Sequence, residues 1–238
     1  MIAPVPSLAA AIRRRQREGR MPVLAEVKVR SPEHGDLMRG RSPVRLARLY
    51  AALPVAGISV VAAGGPFGGS LDLVARVARL GRPVLCKDFH RTPAGIDAAA
   101  RAGASCVLLT VALLDDDHLA RLHAHARGRG LETLVETHSA AEAERVRALR
   151  IRPDLLGVNN RDITVGETDR GDVSVTERVV ATLPPGPLVL SESAIAGPRD
   201  AVRARGAGAD AVLVGTAILT APDPARAVAE LVAVGWPA

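Results

Sequence analysis

Eight short apolar runs separated by helix-like stretches mark this sequence as α/β, and more narrowly as a single (β/α)8 TIM barrel with one short N-terminal helix. The alternation is the first sign, since strands divided by helical segments build parallel sheets. The second is that the runs are apolar throughout instead of at every other residue, as parallel strands covered on both faces require. The third is size: 238 residues lies close to the roughly 250 typical of such barrels. An open, doubly wound sheet fits less well, because no G-x-G-x-x-G follows the first run.

The chain opens with an amphipathic stretch, SLAAAIRRRQREG from Ser7, read as the helix ahead of the barrel. The predicted strands follow: VLAEV from Val23, GISVVA from Gly57, PVLCKDF from Pro83 and SCVLLTV from Ser105. After them come TLVET from Thr133, LLGVNN from Leu155, PLVLSES from Pro187 and DAVLVG from Asp210. The intervening segments are rich in Ala, Arg, Leu and Glu. One of them, DDDHLARLHAHARGRG from Asp115, opens on acids and closes at glycine, matching the sign of the helix dipole at its start. The clusters GGPFGG and PPGP are long enough only for loops, so residues 1–238 are expected to form one domain.

Composition removes several function classes. A hydrophobic fraction of 48% with charges of both signs excludes disorder. The cysteines, Cys86 and Cys106, both lie in apolar runs and read as reduced core thiols, not a disulfide framework. No apolar stretch has membrane-spanning length, and the basic run Arg13 to Arg15 is followed by no signal-length apolar segment. A cytoplasmic protein with no membrane partner is therefore expected, as a monomer or weak homodimer. The net charge of +6 comes from scattered arginines, and aromatic content is only 2%, so no nucleic-acid partner is expected. A positive surface instead favours small anionic substrates.

The same composition singles out particular residues. Of 31 basic side chains only Lys28 and Lys87 are lysines, and Asn159 and Asn160 are the only asparagines. In a chain so biased toward arginine, these survivors are expected where a substitute fails. Lysine, unlike arginine, is a compact charge whose amine can release a proton when partly desolvated.

Reactive groups of such barrels gather at the C-terminal ends of the strands. Here those ends carry Glu26 and Lys28 (first), Lys87 and Asp88 (third), Glu136 (fifth), Asn159 and Arg161 (sixth), Ser191, Glu192 and Ser193 (seventh), and Gly215 and Thr216 (eighth). Glu26 and Lys28 stand two apart, which puts both on one side of an extended chain. One cavity holding two ammonium groups and three carboxylates is a setting that separates acid from base roles. The runs ESAIAGP and VGTAIL place small residues where helices begin, which suits a phosphate cup. His34, His90 and His138 fall near this face without ligand spacing, so no metal is expected. His118, His123 and His125 read as surface residues of a helix. Arg161 with Asp162 also fits a plain loop ion pair, and Glu33 reads as solvated.

These strand ends carry a family likeness. AEVKVRSPEHG resembles the AEIKRxSPSxG opening of the indole-3-glycerol phosphate synthases, and PVLCKDF, VLLTVALL, LVETH, GVNNRDI, LSESAI and AVLVGTAIL resemble their counterparts in the same order. The resemblance implies a TIM barrel that closes the indole ring of 1-(2-carboxyphenylamino)-1-deoxyribulose 5-phosphate with loss of carbon dioxide and water, using neither metal nor cofactor. It implies Lys87 as the general acid at the ketose oxygen and Glu136 as acid/base partner in the dehydration. Lys28, set by Glu26, would steer the substrate's carboxylate and phosphate, while Asn159 and Arg161 would hold carboxylate and hydroxyl groups. Glu192 and Ser193 would line the sugar end, Ser31, Gly215 and Thr216 would bind phosphate, and Phe67, Phe89 and Pro32 would flank the aryl ring.

Departures from the family pattern are local. Glu33-His34 replaces Ser-Lys beside the anion site, and Ala194 replaces a glycine. The loop before Phe67 is Gly- and Ala-rich, and the family's longer N-terminal arm is reduced to about one helix. Two alternatives stay open at this point: a divergent paralogue acting on a related N-aryl aminoketose phosphate, and a non-catalytic barrel kept as a binding subunit.

Overall fold

The computed structural model describes residues 5–161 and 171–237. In chain order its strands begin with β1 (Val23–Val27), the two-residue pair β2 (Arg30–Ser31) and β3 (Gly35–Asp36), β4 (Gly57–Val61) and β5 (Val84–Lys87). β6 (Cys106–Thr110), β7 (Glu132–Thr137), β8 (Leu155–Asn159), β9 (Leu188–Glu192) and β10 (Ala211–Val214) follow. All but β2 and β3 pair in parallel and close into a barrel ordered β1-β10-β9-β8-β7-β6-β5-β4. Each of the eight apolar runs is one barrel strand. The hairpin β2–β3, paired Arg30↔Asp36 and Ser31↔Gly35, is additional, and strands of two residues leave no periodicity to read.

The helices are α1 (Leu8–Arg17), α2 (Pro43–Ala52), α3 (Leu71–Ala78), α4 (Pro93–Arg101) and α5 (Asp116–Gly128). They continue with α6 (Ala140–Ala148), α7 (Ser174–Val179), α8 (Pro198–Gly206), α9 (Thr216–Thr220) and α10 (Pro224–Val232). Short polar caps set several starts. Ser42 and Thr92 accept from the third residue beyond them, and each precedes a proline at the first helical position. Asp115 caps α5 by accepting from the His118 amide at 2.8 Å, as the acidic opening of that segment predicted. His123, expected at the surface, faces inward. Its Nδ1 lies 3.0 Å from the buried Thr133 hydroxyl, because α5 turns that side toward β7.

Two cores result. One fills the layer between strands and helices. The other fills the barrel itself with side chains such as Leu24, Leu85, Leu108, Leu134 and Leu190, and it includes Leu8 and Ile12 of α1. The N-terminal helix therefore seals the barrel at the N-terminal ends of its strands. Polar fastenings hold it there. The Glu132 carboxylate accepts from the Leu8 amide at 2.6 Å and the Ser7 hydroxyl at 2.5 Å, and the Gln16 amide donates to Asp210 Oδ1 at 3.0 Å. Both cysteines are buried and unpaired. Among the described residues no helix is long and apolar enough to cross a membrane.

Candidate active site

The opposite end of the barrel is polar. β5 ends on Lys87, whose Nζ lies 2.9 Å from Glu192 Oε2 at the end of β9 and 3.3 Å from Glu136 Oε2 near the end of β7. Lys28, one residue past β1, places Nζ 3.4 Å from Glu26 Oε1, so the two-residue spacing does put both on one side. The two lysines and three carboxylates thus converge at one mouth. Glu26, Glu136 and Glu192 are all buried, at 3%, 1% and 0% exposure. Two hydroxyls and one amide around the ring add donors to two of the three: Ser59 donates to Glu26 Oε2 at 3.4 Å, Thr110 to Glu136 Oε1 at 3.3 Å, and Asn159 Nδ2 to Glu136 Oε2 at 3.4 Å.

Burying that much charge is costly unless it is paired. Complete burial pushes the Glu192 carboxyl up to about 7, against the pull of the Lys87 ammonium and with a further push from Glu136. Its Oε1 has no hydrogen-bond partner among the described residues. That oxygen lies directly over Gly157 of β8, where any Cβ would collide with it. Gly215, just past β10, stands in the same relation to Glu26 Oε1. Glycine inside a strand marks such a close approach, a signal present in LLGVNN.

Asn160 plays a different part from its neighbour. Its Nδ2 donates to Ser191 Oγ and to the Glu192 and Ser193 carbonyls at 2.9–3.1 Å, and its Oδ1 accepts from the Thr176 amide and hydroxyl at 3.0 and 2.9 Å. One buried amide ties α7 to the end of β9 and fixes the backbone that carries Glu192. An aspartate could not donate these bonds, which accounts for the retained asparagine.

Two adjoining cavities share Glu26, Lys28 and Lys87. The smaller, about 410 Å³, has an apolar wall of Val61, Leu108, Phe67 and Phe89. The two phenylalanine rings meet edge to face with centroids 6.1 Å apart. The larger, about 1180 Å³, is polar and is lined by Arg161, Ser193, Gly215 and Thr216. Ser193 and Ala194 both have left-handed backbones, at φ 62 and 54°, where a residue with a Cβ is strained. Among the described residues no group of three or more His, Cys, Asp or Glu is arranged to hold a metal.

Most of the expected site residues meet here. Ser31 and Pro32 line neither cavity: the Ser31 hydroxyl instead accepts the His34 amide at 3.0 Å and holds the β2–β3 turn. Glu33 is not simply solvated, since its Oε2 lies 3.1 Å from Arg161 Nη1 and 3.3 Å from His34 Nδ1. Asp162, the other expected partner of Arg161, lies outside the described residues. His138, weighed in the sequence only as a metal ligand, points Nε2 at Glu136 Oε1 from 3.5 Å. Its position two residues beyond Glu136 was the available signal.

Fold and site together define a barrel of the enzyme class whose strand ends gather two lysines and three buried carboxylates between an aromatic-walled cavity and a polar one. Comparison with known proteins agrees: residues 2–231 match the family model for indole-3-glycerol phosphate synthase. An indole-3-glycerol phosphate synthase of Thermococcus kodakarensis is 40% identical over 95% of this chain and 97% of its own length. One of Nocardioides sp. is 44% identical over 89% of this chain and 80% of its own. Among solved structures, thiamine phosphate pyrophosphorylase from Pyrococcus furiosus superposes with a TM-score of 0.66, covering 91% of this chain and 95% of its own at 16% identity, a likeness of fold alone. The chain belongs to the indole-3-glycerol phosphate synthase family.

Proposed function

We propose that this chain converts 1-(2-carboxyphenylamino)-1-deoxyribulose 5-phosphate to indole-3-glycerol phosphate, carbon dioxide and water. The observation that carries the reading is Lys87 Nζ held between Glu136 and Glu192, on the border of the aromatic and the polar cavity. The aryl ring lies against Phe67 and Phe89, while the phosphate lies toward Ser193, Gly215 and Thr216. Lys28 and Arg161 meet the substrate's negative charge, with Asn159 and Glu26 holding the groups around them.

In that pose the Lys87 ammonium donates its proton to the ketose oxygen as the carboxyl-bearing aryl carbon attacks the carbonyl carbon. Loss of carbon dioxide restores the aromatic ring. Water then leaves as the new hydroxyl takes a proton and the adjoining ring methylene gives one up, an exchange that falls to Glu136. Atoms and electrons balance without an external oxidant or reductant, and one proton from solvent restores the Lys87 ammonium after the carboxylate has left as neutral carbon dioxide. The same reading takes the chain as one domain, a monomer or weak homodimer working in the cytoplasm. The complete acid/base set disfavours a barrel kept only for binding.

The test is to supply the carboxyphenylamino-deoxyribulose phosphate and follow indole fluorescence. Turnover that Lys87→Met abolishes is the expected result. No turnover by the wild-type chain, or turnover unchanged in Lys87→Met, defeats the proposal.

A further inference from the structure

We propose that His138 is a positioning residue that loads Glu136 with its proton and relieves it again during the dehydration, an inference that rests on the reaction assigned above. The Glu136 carboxylate has two differently occupied oxygens. Oε2 receives Lys87 and Asn159, at 3.3 and 3.4 Å, and so faces the reacting space. Oε1 faces away, toward the Thr110 hydroxyl at 3.3 Å and His138 Nε2 at 3.5 Å.

The imidazole is held for this purpose from its other side. Glu142, in the first turn of α6, accepts from the His138 backbone amide at 2.9 Å and meets Nδ1 at 3.2 Å. The hydroxyl of Ser139, the cap of α6, in turn accepts the Glu142 amide at 3.3 Å. With Nδ1–H given to Glu142, Nε2 is the nitrogen left to exchange a proton with Glu136. Nε2 makes no hydrogen bond among the described residues although the side chain is only 10% exposed. A shift of about half an ångström would bring it within hydrogen-bond reach of Oε1.

The charges around the ring favour its protonated form. Carboxylates face it from β7 (Glu136), α6 (Glu142) and β9 (Glu192), while Lys87 sits beyond the far oxygen of Glu136. Arg145, also on α6, turns away to the Val111 and Leu114 carbonyls and Asp116. Burial opposes protonation, but the Glu142 hydrogen bond and the three carboxylate charges outweigh it and hold the imidazole above its ordinary value.

The proton count closes. Imidazolium passes Nε2–H to Glu136 Oε1, and a half-turn of the carboxyl group carries that proton to the reacting side. The carboxylic acid gives it to the departing hydroxyl, which leaves as water, and the reverse turn carries the next proton back. Glu136, a carboxylate again, takes the ring methylene proton and returns it to Nε2. The pair ends as it began, and the one proton the reaction consumes, given up by Lys87 at ring closure, is replaced from solvent between turnovers.

His138→Gln keeps a polar side chain but carries no exchangeable charge. It is expected to fold, to leave KM within about twofold and to lower kcat at neutral pH at least about tenfold. In the wild type kcat should fall as the imidazolium deprotonates with rising pH. That limb should vanish in His138→Gln, and added imidazole should restore part of the rate. In Glu142→Gln, which leaves His138 in place, the limb should move to lower pH. An NMR titration of the His138 ring should show its pKa falling in both Glu142→Gln and Glu136→Gln. Wild-type kcat and pH profile in His138→Gln would overturn the proposal, as would a titration indifferent to both glutamates. Total absence of turnover by the wild type would strike the assigned reaction instead, and the titration would still decide the pairing.

Discussion

Gly157 lies so close beneath the Glu192 carboxylate that no side chain fits between them. Strand β8 thereby gives Glu192 the room from which it reaches Lys87 at 2.9 Å. Gly157→Ala is expected to push Glu192 aside, costing about 1–3 kcal/mol through overpacking. Displacing a group at a reacting centre by about an ångström can cost on the order of a hundredfold in rate, so kcat should fall by about that much in a chain that still folds. Steady-state kinetics beside urea midpoints would check this. Wild-type kcat in the Gly157→Ala variant would show that Glu192 does not hold Lys87 for the reaction.

Glu192 also sets a pH dependence of folding. Its carboxyl ionises near 4.5 in a solvated chain but near 7 in the folded one. Between those values the native state holds a proton that the unfolded state has lost, so stability falls as pH rises through the interval. The loss attributable to this residue is on the order of 3 kcal/mol. Denaturant unfolding of the wild type and Glu192→Gln at pH 5 and pH 8 should show the wild type losing ground to the variant at the higher pH. A gap that is constant between the two would refute the assignment.

Glu132 should matter to stability and not to turnover. Its carboxylate takes the Leu8 amide and the Ser7 hydroxyl at the start of α1, while Lys87, Glu136 and Glu192 lie at the other end of the strands. Glu132→Ala leaves a part-buried donor unpaired and should cost about 1–3 kcal/mol, or several degrees of melting temperature in a chain of this length. Well below its melting point, its kcat should match the wild type. A kcat loss at low temperature would show that the two ends are coupled.

Glu33 occupies the guanidinium that the proposed reading gives to the substrate, since it lies 3.1 Å from Arg161 Nη1. Glu33→Ser should lower KM for the phosphorylated substrate about fivefold, the worth of one partly exposed ion pair, with kcat little changed. The difference should shrink at high salt. A KM that stays the same or rises would mean that Glu33 takes nothing from substrate binding.

The barrel was legible because strands covered on both faces must be apolar along their whole length, which made each of the eight runs stand out from its polar surroundings. Lys28 and Lys87 were legible for a compositional reason: arginine had replaced lysine everywhere else. What escaped the sequence depends on distance through space. Nothing local announces that Glu33 will meet Arg161 across two loops, or that Ser31 will spend its hydroxyl on its own turn. His123 escaped because a helix shows its inward side only through apolar residues, and a histidine buried against Thr133 reads as polar. His138 and Gly157 were half legible, one by its spacing from Glu136 and the other as a glycine inside a strand.

The seal made by α1 has a consequence for how such a chain can change. Fastening and the proposed chemistry occupy opposite poles of one sheet, so on that reading selection can act on each nearly alone. Variants that tighten the clasp around Ser7, Leu8 and Glu132 should widen the range of temperatures the enzyme survives. The loops around Phe67 and Glu33 can then be exchanged for new substrates, with the lost margin of folding made up at the other pole.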